Sequence, residues 1–98
     1  MLPLRVDYNE RERLPDGGQA VQIFIGIMNP AALEAKLVKG NRVILYDEGN
    51  LCEGVLRPGS WLPGWVADII PGTVRDLEPG EFERLQIATA RAALTVVK

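Results

Sequence analysis

The sequence predicts a mainly β domain of the α+β class, built on a small, strongly bent antiparallel sheet or open barrel. Short apolar segments alternate with polar residues, and four Pro-Gly pairs divide the second half of the chain. Proline followed by glycine favours tight turns. Helical spacing is clearest near the C-terminus. These observations indicate about five or six short strands, one short helix near 30–38 and a C-terminal helix near 79–95.

The first half of the chain contains two alternating segments. Residues 2–8 place apolar and polar residues in turn, which is typical of a half-buried strand. Residues 9–19 are polar and end in a Pro-Asp-Gly-Gly turn, so we expect a solvated connection. Residues 21–28 are the clearest strand, because one of its faces carries only the β-branched residues Val21, Ile23, Ile25 and Ile27.

A short helix is predicted next. Asn29 followed by Pro30 is a typical helix start, and Gly40 is a typical end. Strands are then predicted over 42–46 and 51–57, joined by the turn Asp-Glu-Gly-Asn, with Gly54 indicating a bulge or sharp bend. The stretch KGNRVILYDEGNLCEGVL, residues 39–56, resembles the opening hairpin of SH3-like small barrels. That resemblance implies an SH3-like open barrel.

The last part of the chain predicts two further strands and the terminal helix. Residues 65–70 are apolar at nearly every position, which favours a strand covered on both faces, and 73–77 predicts a short strand. Beyond Pro79, one helical stripe is apolar. A second apolar group lies off that stripe, and it belongs either to a broad buried face or to an oligomer contact. Residues 94–97 could instead form a strand. The proposed oligomer contact comprises Ile87, Leu94 and Val97.

Length and composition limit the class of protein. The 98 residues fit one domain, 1–98. The net charge of −2 and the lack of a basic run disfavour nucleic acid as a partner, without excluding it. The one cysteine cannot form an internal disulfide, and no apolar stretch approaches the ~20 residues that span a bilayer. We therefore expect a cytoplasmic protein with no membrane partner.

Residue types that carry chemistry are scarce. The chain has no histidine, which removes the commonest general base and the commonest metal ligand. Asp47 and Glu48 are better explained by a turn than by a cation site, and Cys52 by a structural role. We predict no enzyme activity, no cofactor and no metal. Arginine residues in three strands either form an anion site on a shared face or pair with Asp68 and Asp76: Arg42, Arg57 and Arg75.

The segment RPGSWLPGW, residues 57–65, is the candidate recognition loop. Tryptophan and arginine are enriched at binding hot spots, and proline reduces the entropy lost on docking. Trp65 opens an apolar strand and is predicted to be core, whereas Trp61 lies between turns. The predicted binding residues are Trp61, Arg57, Leu62 and Tyr46.

These observations lead to one functional hypothesis and two alternatives. The hypothesis is a non-enzymatic binding module that recognises a protein partner, or its own copy, through the tryptophan loop and the C-terminal helix. The first alternative is a single-stranded nucleic-acid binder of small-barrel type. The second is a carboxylate-dependent enzyme or an accessory subunit of one.

Overall fold

The computed structural model describes residues 1–23, 35–59 and 64–94, with the side chains of Ala93 and Leu94 left out. This part of the chain is mainly β, with one helix at its C-terminal end. A 3₁₀ turn, Tyr8–Glu10, follows the first strand. The strands and the helix are β1 (Pro3–Arg5), β2 (Glu12–Arg13), β3 (Gln19–Gln22), β4 (Arg42–Tyr46), β5 (Asn50–Pro58), β6 (Trp65–Ile69), β7 (Arg75–Asp76) and α1 (Glu81–Leu94).

The described strands form one open, mixed sheet in the order β1-β4-β5-β6-β3-β2, and β7 pairs with β5 outside this path. The sequence predicts an antiparallel sheet, and this is wrong for one pair. β1 runs parallel to β4, whereas the other pairings are antiparallel. Between β1 and β4 the chain forms β2 and β3. A parallel pair requires such a long connection between its two strands. An isolated antiparallel bridge also joins Val6 to Ile23.

The hairpin of β4 and β5 matches its prediction closely. Its turn is closed by Asp47, whose Oδ1 accepts hydrogen bonds from the backbone N–H groups of Gly49 and Asn50, both at 2.8 Å. The Asp47 N–H in turn donates to the Asn50 carbonyl at 3.0 Å. The carboxylate thus accepts from two N–H groups in place of the backbone carbonyl partners that a tight turn lacks. This is the usual role of aspartate in such turns.

Of the bulge or sharp bend predicted at Gly54, the bulge is not found. The pairing of β4 with β5 runs without interruption past Gly54, which lies opposite Val43. The reason for glycine is space. A Cβ atom at this position would lie 2.6 Å from Leu45 Cδ1, 3.1 Å from the Asp68 carbonyl oxygen and 3.2 Å from Ala67 Cβ. The Leu45 side chain and β6 therefore leave no room for a side chain at position 54.

One face of the sheet forms the core. Most residues of this core come from strands and bridges that are distant in sequence, and Leu37 comes from the segment before β4. All of them are excluded from solvent almost completely. The buried cluster consists of Leu4, Val6, Val21, Ile23, Leu37, Val43, Leu45, Cys52, Leu56 and Ala67.

Several predicted elements differ in extent. The helix predicted near 30–38 lies only partly within the described residues. Residues 35–36 form a turn where the prediction places the end of this helix, and residues 30–34 lie outside the described ranges. The connection 9–19 contains β2. Only residues 19–22 of the predicted long strand are described as β3. β6 has a single fully buried residue, Ala67, so it is not covered on both faces, and β7 has only two residues.

The C-terminal helix is confirmed, beginning at Glu81 after Gly80, which has a φ of +80°. Leu94 is helical, whereas Thr95, Val96 and Val97 lie outside the described part. Within the described ranges, no helix has the length and apolar character needed to cross a membrane.

The close approach at Gly54 generates a stability prediction. We expect Gly54→Ala to lower the free energy of unfolding by about 1–3 kcal/mol, because the new methyl group overlaps Leu45 and the backbone of β6. Gly49→Ala is the matched control, since its Cβ would contact only Asp47 Oδ1 at 3.8 Å. Urea unfolding followed by tryptophan fluorescence measures both. Equal stability of the two variants would contradict the steric role.

Candidate functional site

Helix α1 is attached to the sheet through a polar contact at its centre. The Thr89 hydroxyl lies 2.8 Å from the carbonyl oxygen of Pro3 and 3.0 Å from that of Leu85. The Tyr46 hydroxyl is 2.8 Å from Thr89 Oγ1. Since the Thr89 proton is directed to a carbonyl, Tyr46 donates to Thr89. This contact ties α1 to β1 and β4 together. The only sign of this role in the sequence is that Thr89 is a polar residue within an apolar helical stripe.

An aromatic contact holds the first half of α1. The ring of Phe82 meets the ring of Tyr46 edge to face, with centroids 6.0 Å apart. The Arg5 guanidinium carbon lies 5.3 Å from the centroid of Phe82, a cation–π distance. Tyr46 is 1% exposed, so it anchors the helix and has no surface to offer a partner. We therefore remove Tyr46 from the predicted binding residues; alternation along a strand could not show that a helix covers this face.

The outer side of α1 carries exposed apolar surface at Ile87, and other exposed large apolar side chains are those of Met1, Val38 and Val74. Ile87 is 52% exposed, although the opposite side of the helix packs on the sheet. This placement separates Ile87 from the core. Of the other residues predicted for an oligomer contact, the Leu94 side chain and the whole of Val97 lie outside the described residues.

The recognition loop connects β5 to β6. Pro58 pairs with Trp65. The Gly59 N–H donates to the Gly64 carbonyl at 2.9 Å. These two contacts hold together the strand ends that flank residues 60–63. Trp61 and Leu62 belong to these four residues and lie outside the described ranges. Trp65 is half-buried and packs against the core. The two tryptophans therefore occupy different parts of the hairpin, with Trp65 in a strand and Trp61 in the connection.

The three arginines share one face of the sheet but form no common site. Register places Arg42 opposite Val55 and Arg75 opposite Leu51 on the face that carries Arg57. Six residues of β5 separate positions 51 and 57, which is about 20 Å. Each guanidinium also has its own carboxylate. The closest distances are 2.8 Å for Arg42–Glu53, 2.9 Å for Arg57–Asp68 and 2.6 Å for Arg75–Glu81.

A shallow cavity of about 560 Å³ lies between the 3₁₀ turn and the β4–β5 turn. The carboxylates that line it are those of Asp7, Glu10, Asp47 and Glu48, and three of them make local contacts. Asp7 accepts from the Asn9 N–H at 2.9 Å, and Glu48 lies 3.4 Å from Arg5. The oxygen of Asp47 closes the hairpin turn. Across the described ranges, no group of three or more histidine, cysteine, aspartate or glutamate residues is arranged to hold a metal ion.

The partly buried Tyr8 and the buried Cys52 form a polar contact at the edge of the core that the sequence did not indicate. The Tyr8 hydroxyl donates to the Leu45 carbonyl at 2.7 Å, and it lies 3.2 Å from Cys52 Sγ. Because the tyrosine proton is committed to Leu45, the thiol donates to the tyrosine oxygen. Burial raises the pKa of Tyr8, and burial also raises the pKa of the Cys52 thiol. Both groups are therefore neutral and weakly nucleophilic near pH 7.

Compared with protein-family models, curated proteins and solved structures, the chain matches none of them. The proposal for its function therefore rests on the geometry of its own residues.

The environment of Cys52 generates a reactivity prediction. We expect the native thiol to react with a soluble disulfide reagent at pH 8 about a hundredfold more slowly than in urea, because Cys52 is buried and its pKa is raised. Absorbance of the released thiolate gives the rate. Prompt stoichiometric labelling without urea would show that the thiol is accessible.

The Arg75–Glu81 ion pair generates a pH prediction. Hydrogen bonding to Arg75 lowers the pKa of Glu81 from 4.5 to about 2. A carboxyl group with a lowered folded-state pKa stabilises the fold above its unfolded pKa, and this contribution is lost as the pH falls from about 4.5 towards 2. We therefore expect Glu81→Gln to lower the urea midpoint at pH 7 and to match the wild type near pH 2.

Glu83→Gln is the control for this experiment, because Glu83 is exposed in the same turn of α1. Its urea midpoint at pH 7 should stay near that of the wild type. A Glu81→Gln deficit that is equal at pH 7 and pH 2 would show that the ion pair does not set the pH dependence.

Proposed function

We propose that this chain is a non-enzymatic binding module that recognises a protein partner, with the outer side of α1 and residues 60–63 as its contact surface. The observation that carries the proposal is Ile87, a large apolar side chain left 52% exposed on a helix that is otherwise anchored to the sheet. An apolar residue presented on a rigid element is suited to docking, because little conformational entropy is lost when it is covered.

The hairpin of β5 and β6 supports including the tryptophan loop. Its strands are paired up to Pro58 and Trp65, so a rigid base carries the four residues that contain Trp61 and Leu62. Arg57 lies at this base, with its Nε 2.9 and 3.0 Å from the two carboxylate oxygens of Asp68. In the proposal, Arg57 positions the base of the loop, and Trp61 and Leu62 make the contact with the partner.

The chemistry of the described residues favours binding over catalysis. The two groups that resemble a nucleophile and its proton donor, Cys52 and Tyr8, have raised pKa values and lie in the core or at its edge. The carboxylates of Glu53, Asp68 and Glu81 are held by arginines. A general acid or base needs a pKa near the working pH and a position in a cleft, and the groups named above do not have both.

A small-barrel architecture of the SH3-like kind is part of the proposal. Its support is the antiparallel bridge between Val6, just after β1, and Ile23, just after β3. This bridge joins strands that are four places apart in the sheet order and bends the sheet towards closure. Binding residues are commonly carried by loops on a rigid scaffold, which agrees with a contact through the β5–β6 connection.

The proposal is tested by separating binding from folding at the two tryptophans. We expect Trp61→Ala to change the free energy of unfolding by about 1 kcal/mol or less and to abolish capture of protein partners from a lysate of the source cell. We expect Trp65→Ala to cost up to about 3 kcal/mol, since its ring packs on the core. Urea unfolding and mass spectrometry of the captured proteins are the measurements.

Val74→Ser is the matched control for the capture experiment, because Val74 is 60% exposed and precedes β7, which pairs with the end of β5 opposite the loop. It should capture the same proteins as the wild type. Identical capture by Trp61→Ala would remove the loop from the contact surface. Loss of capture after nuclease treatment would favour the nucleic-acid alternative.

A further inference from the structure

Helix α1 lies on the sheet without burying any of its described side chains completely. Over residues 81–92, every side chain is either exposed or half-buried, and none belongs to the buried core. The sheet surface beneath is different, because Tyr46 is almost completely excluded from solvent there. Elements with little fully buried apolar area open at a lower free energy than the whole fold. This asymmetry favours opening of α1 before the sheet unfolds.

One hydroxyl joins the centre of α1 to the sheet through two hydrogen bonds. Thr89 donates to the Pro3 carbonyl at 2.8 Å and accepts from the Tyr46 hydroxyl, also at 2.8 Å. Such bonds depend on distance and direction, so a small displacement of the helix breaks both of them. Water can then replace each partner, and the net loss of free energy is small.

The two ends of α1 are held in different ways. At the start, the carboxylate of Glu81 accepts from Arg75 at 2.8 and 2.6 Å, and it also accepts from the Glu78 N–H at 3.0 Å. At the other end, the Lys36 ammonium donates to the Ala92 carbonyl, where a helix favours a cation. Glu81 is therefore a pivot that keeps the helix beside the sheet, and Lys36 is a latch at the moving end.

We propose that the sheet surface beneath α1, formed by β1 and β4 around Tyr46, binds an amphipathic helix of a partner protein, with α1 as its internal occupant. In a minor state α1 swings away about Glu81, and the partner's helix takes its place. The sheet keeps its strand pairings in this state, because they do not involve α1. The inference goes beyond the proposed function, since this surface lies beneath α1 and not on its outer side.

The contacts of α1 define which helix the surface accepts. The Phe82 ring meets the Tyr46 ring edge to face. Thr89 follows Phe82 by seven residues, which is about two helical turns, and supplies the hydroxyl. Ala92 comes three residues later and packs against the core. A partner helix with an aromatic residue, a hydroxyl seven residues later and a small residue three further on makes the same contacts.

Competition with α1 gives the proposal a quantitative consequence. The closed helix lowers the partner's apparent affinity in proportion to the fraction of molecules that are open. A substitution that loosens α1 without changing the sheet surface should therefore raise the apparent affinity by the same factor as it raises the open fraction.

Native-state hydrogen exchange of the full chain tests the opening. The amides between Leu85 and Ala92 should exchange together, with protection factors at least about tenfold below those of β5. Thr89→Val removes the hydroxyl at nearly constant size, and it should lower the protection of these helix amides about tenfold further while β5 keeps its protection. Exchange that rises only gradually towards the end of the helix shows fraying. Equal loss of protection in α1 and β5 shows that α1 opens only with the whole fold. Either outcome overturns the proposal.

A fluorescent synthetic peptide of residues 79–94 tests the surface beneath α1. By fluorescence anisotropy, this peptide should bind the full-length Thr89→Val chain about tenfold more tightly than the wild type, because more molecules are open. A peptide with Phe82→Ala should bind at least about tenfold more weakly, since it lacks the ring that meets Tyr46. A peptide with Ile87→Ser is the matched control and should bind like the unchanged peptide, because Ile87 lies on the outer side.

Glu83→Gln in the full chain is the second control, and it should leave both hydrogen exchange and peptide affinity at their wild-type values. No binding of the peptide to Thr89→Val at about 1 mM overturns the proposal, and so does equal binding of the Phe82→Ala peptide. Neither measurement uses capture from a lysate. Failure here therefore leaves the outer contact surface to be judged by the Trp61→Ala experiment, and the two failures are distinguishable.

Discussion

Strand β5 is the element on which the rest of this structure depends. Its nine residues, Asn50–Pro58, pair with β4, β6 and β7. Such a strand must approach its neighbours closely on both sides, and Gly54 makes this possible where Leu45, Ala67 and the Asp68 carbonyl converge. A side chain at position 54 would therefore displace Leu45 or β6 from this arrangement.

The pairing of β5 also divides the sheet into two unlike faces. One face carries Leu45, Cys52, Leu56 and Ala67 and is dry. The other is covered by α1 at the end near Tyr46, and at the opposite end it carries the ion pairs of Arg42 and Arg57. Charged pairs at a sheet surface contribute little to stability, so α1 and the core provide most of it.

This division explains why the proposed contacts lie at the periphery. Many polar groups of the described residues are already engaged with one another. Arginines hold carboxylates, Asp47 closes a turn, and Tyr8 and Cys52 satisfy each other and Leu45 at the edge of the core. The proposed recognition surface is the outer side of α1 together with the connection between β5 and β6.

The sequence by itself determined the local features: the hairpin of β4 and β5, the strand at Trp65, the C-terminal helix and the mainly β composition. Each depends on residues close together in the chain, such as the Asp47 turn or the period-four stripe of α1. Only the tertiary structure decided that β1 lies parallel to β4, that Gly54 marks a close approach without a bulge, and that α1 covers Tyr46. These features join residues far apart in the chain, as Thr89 and Pro3 are, and alternation within one strand cannot show which of its faces another element will cover.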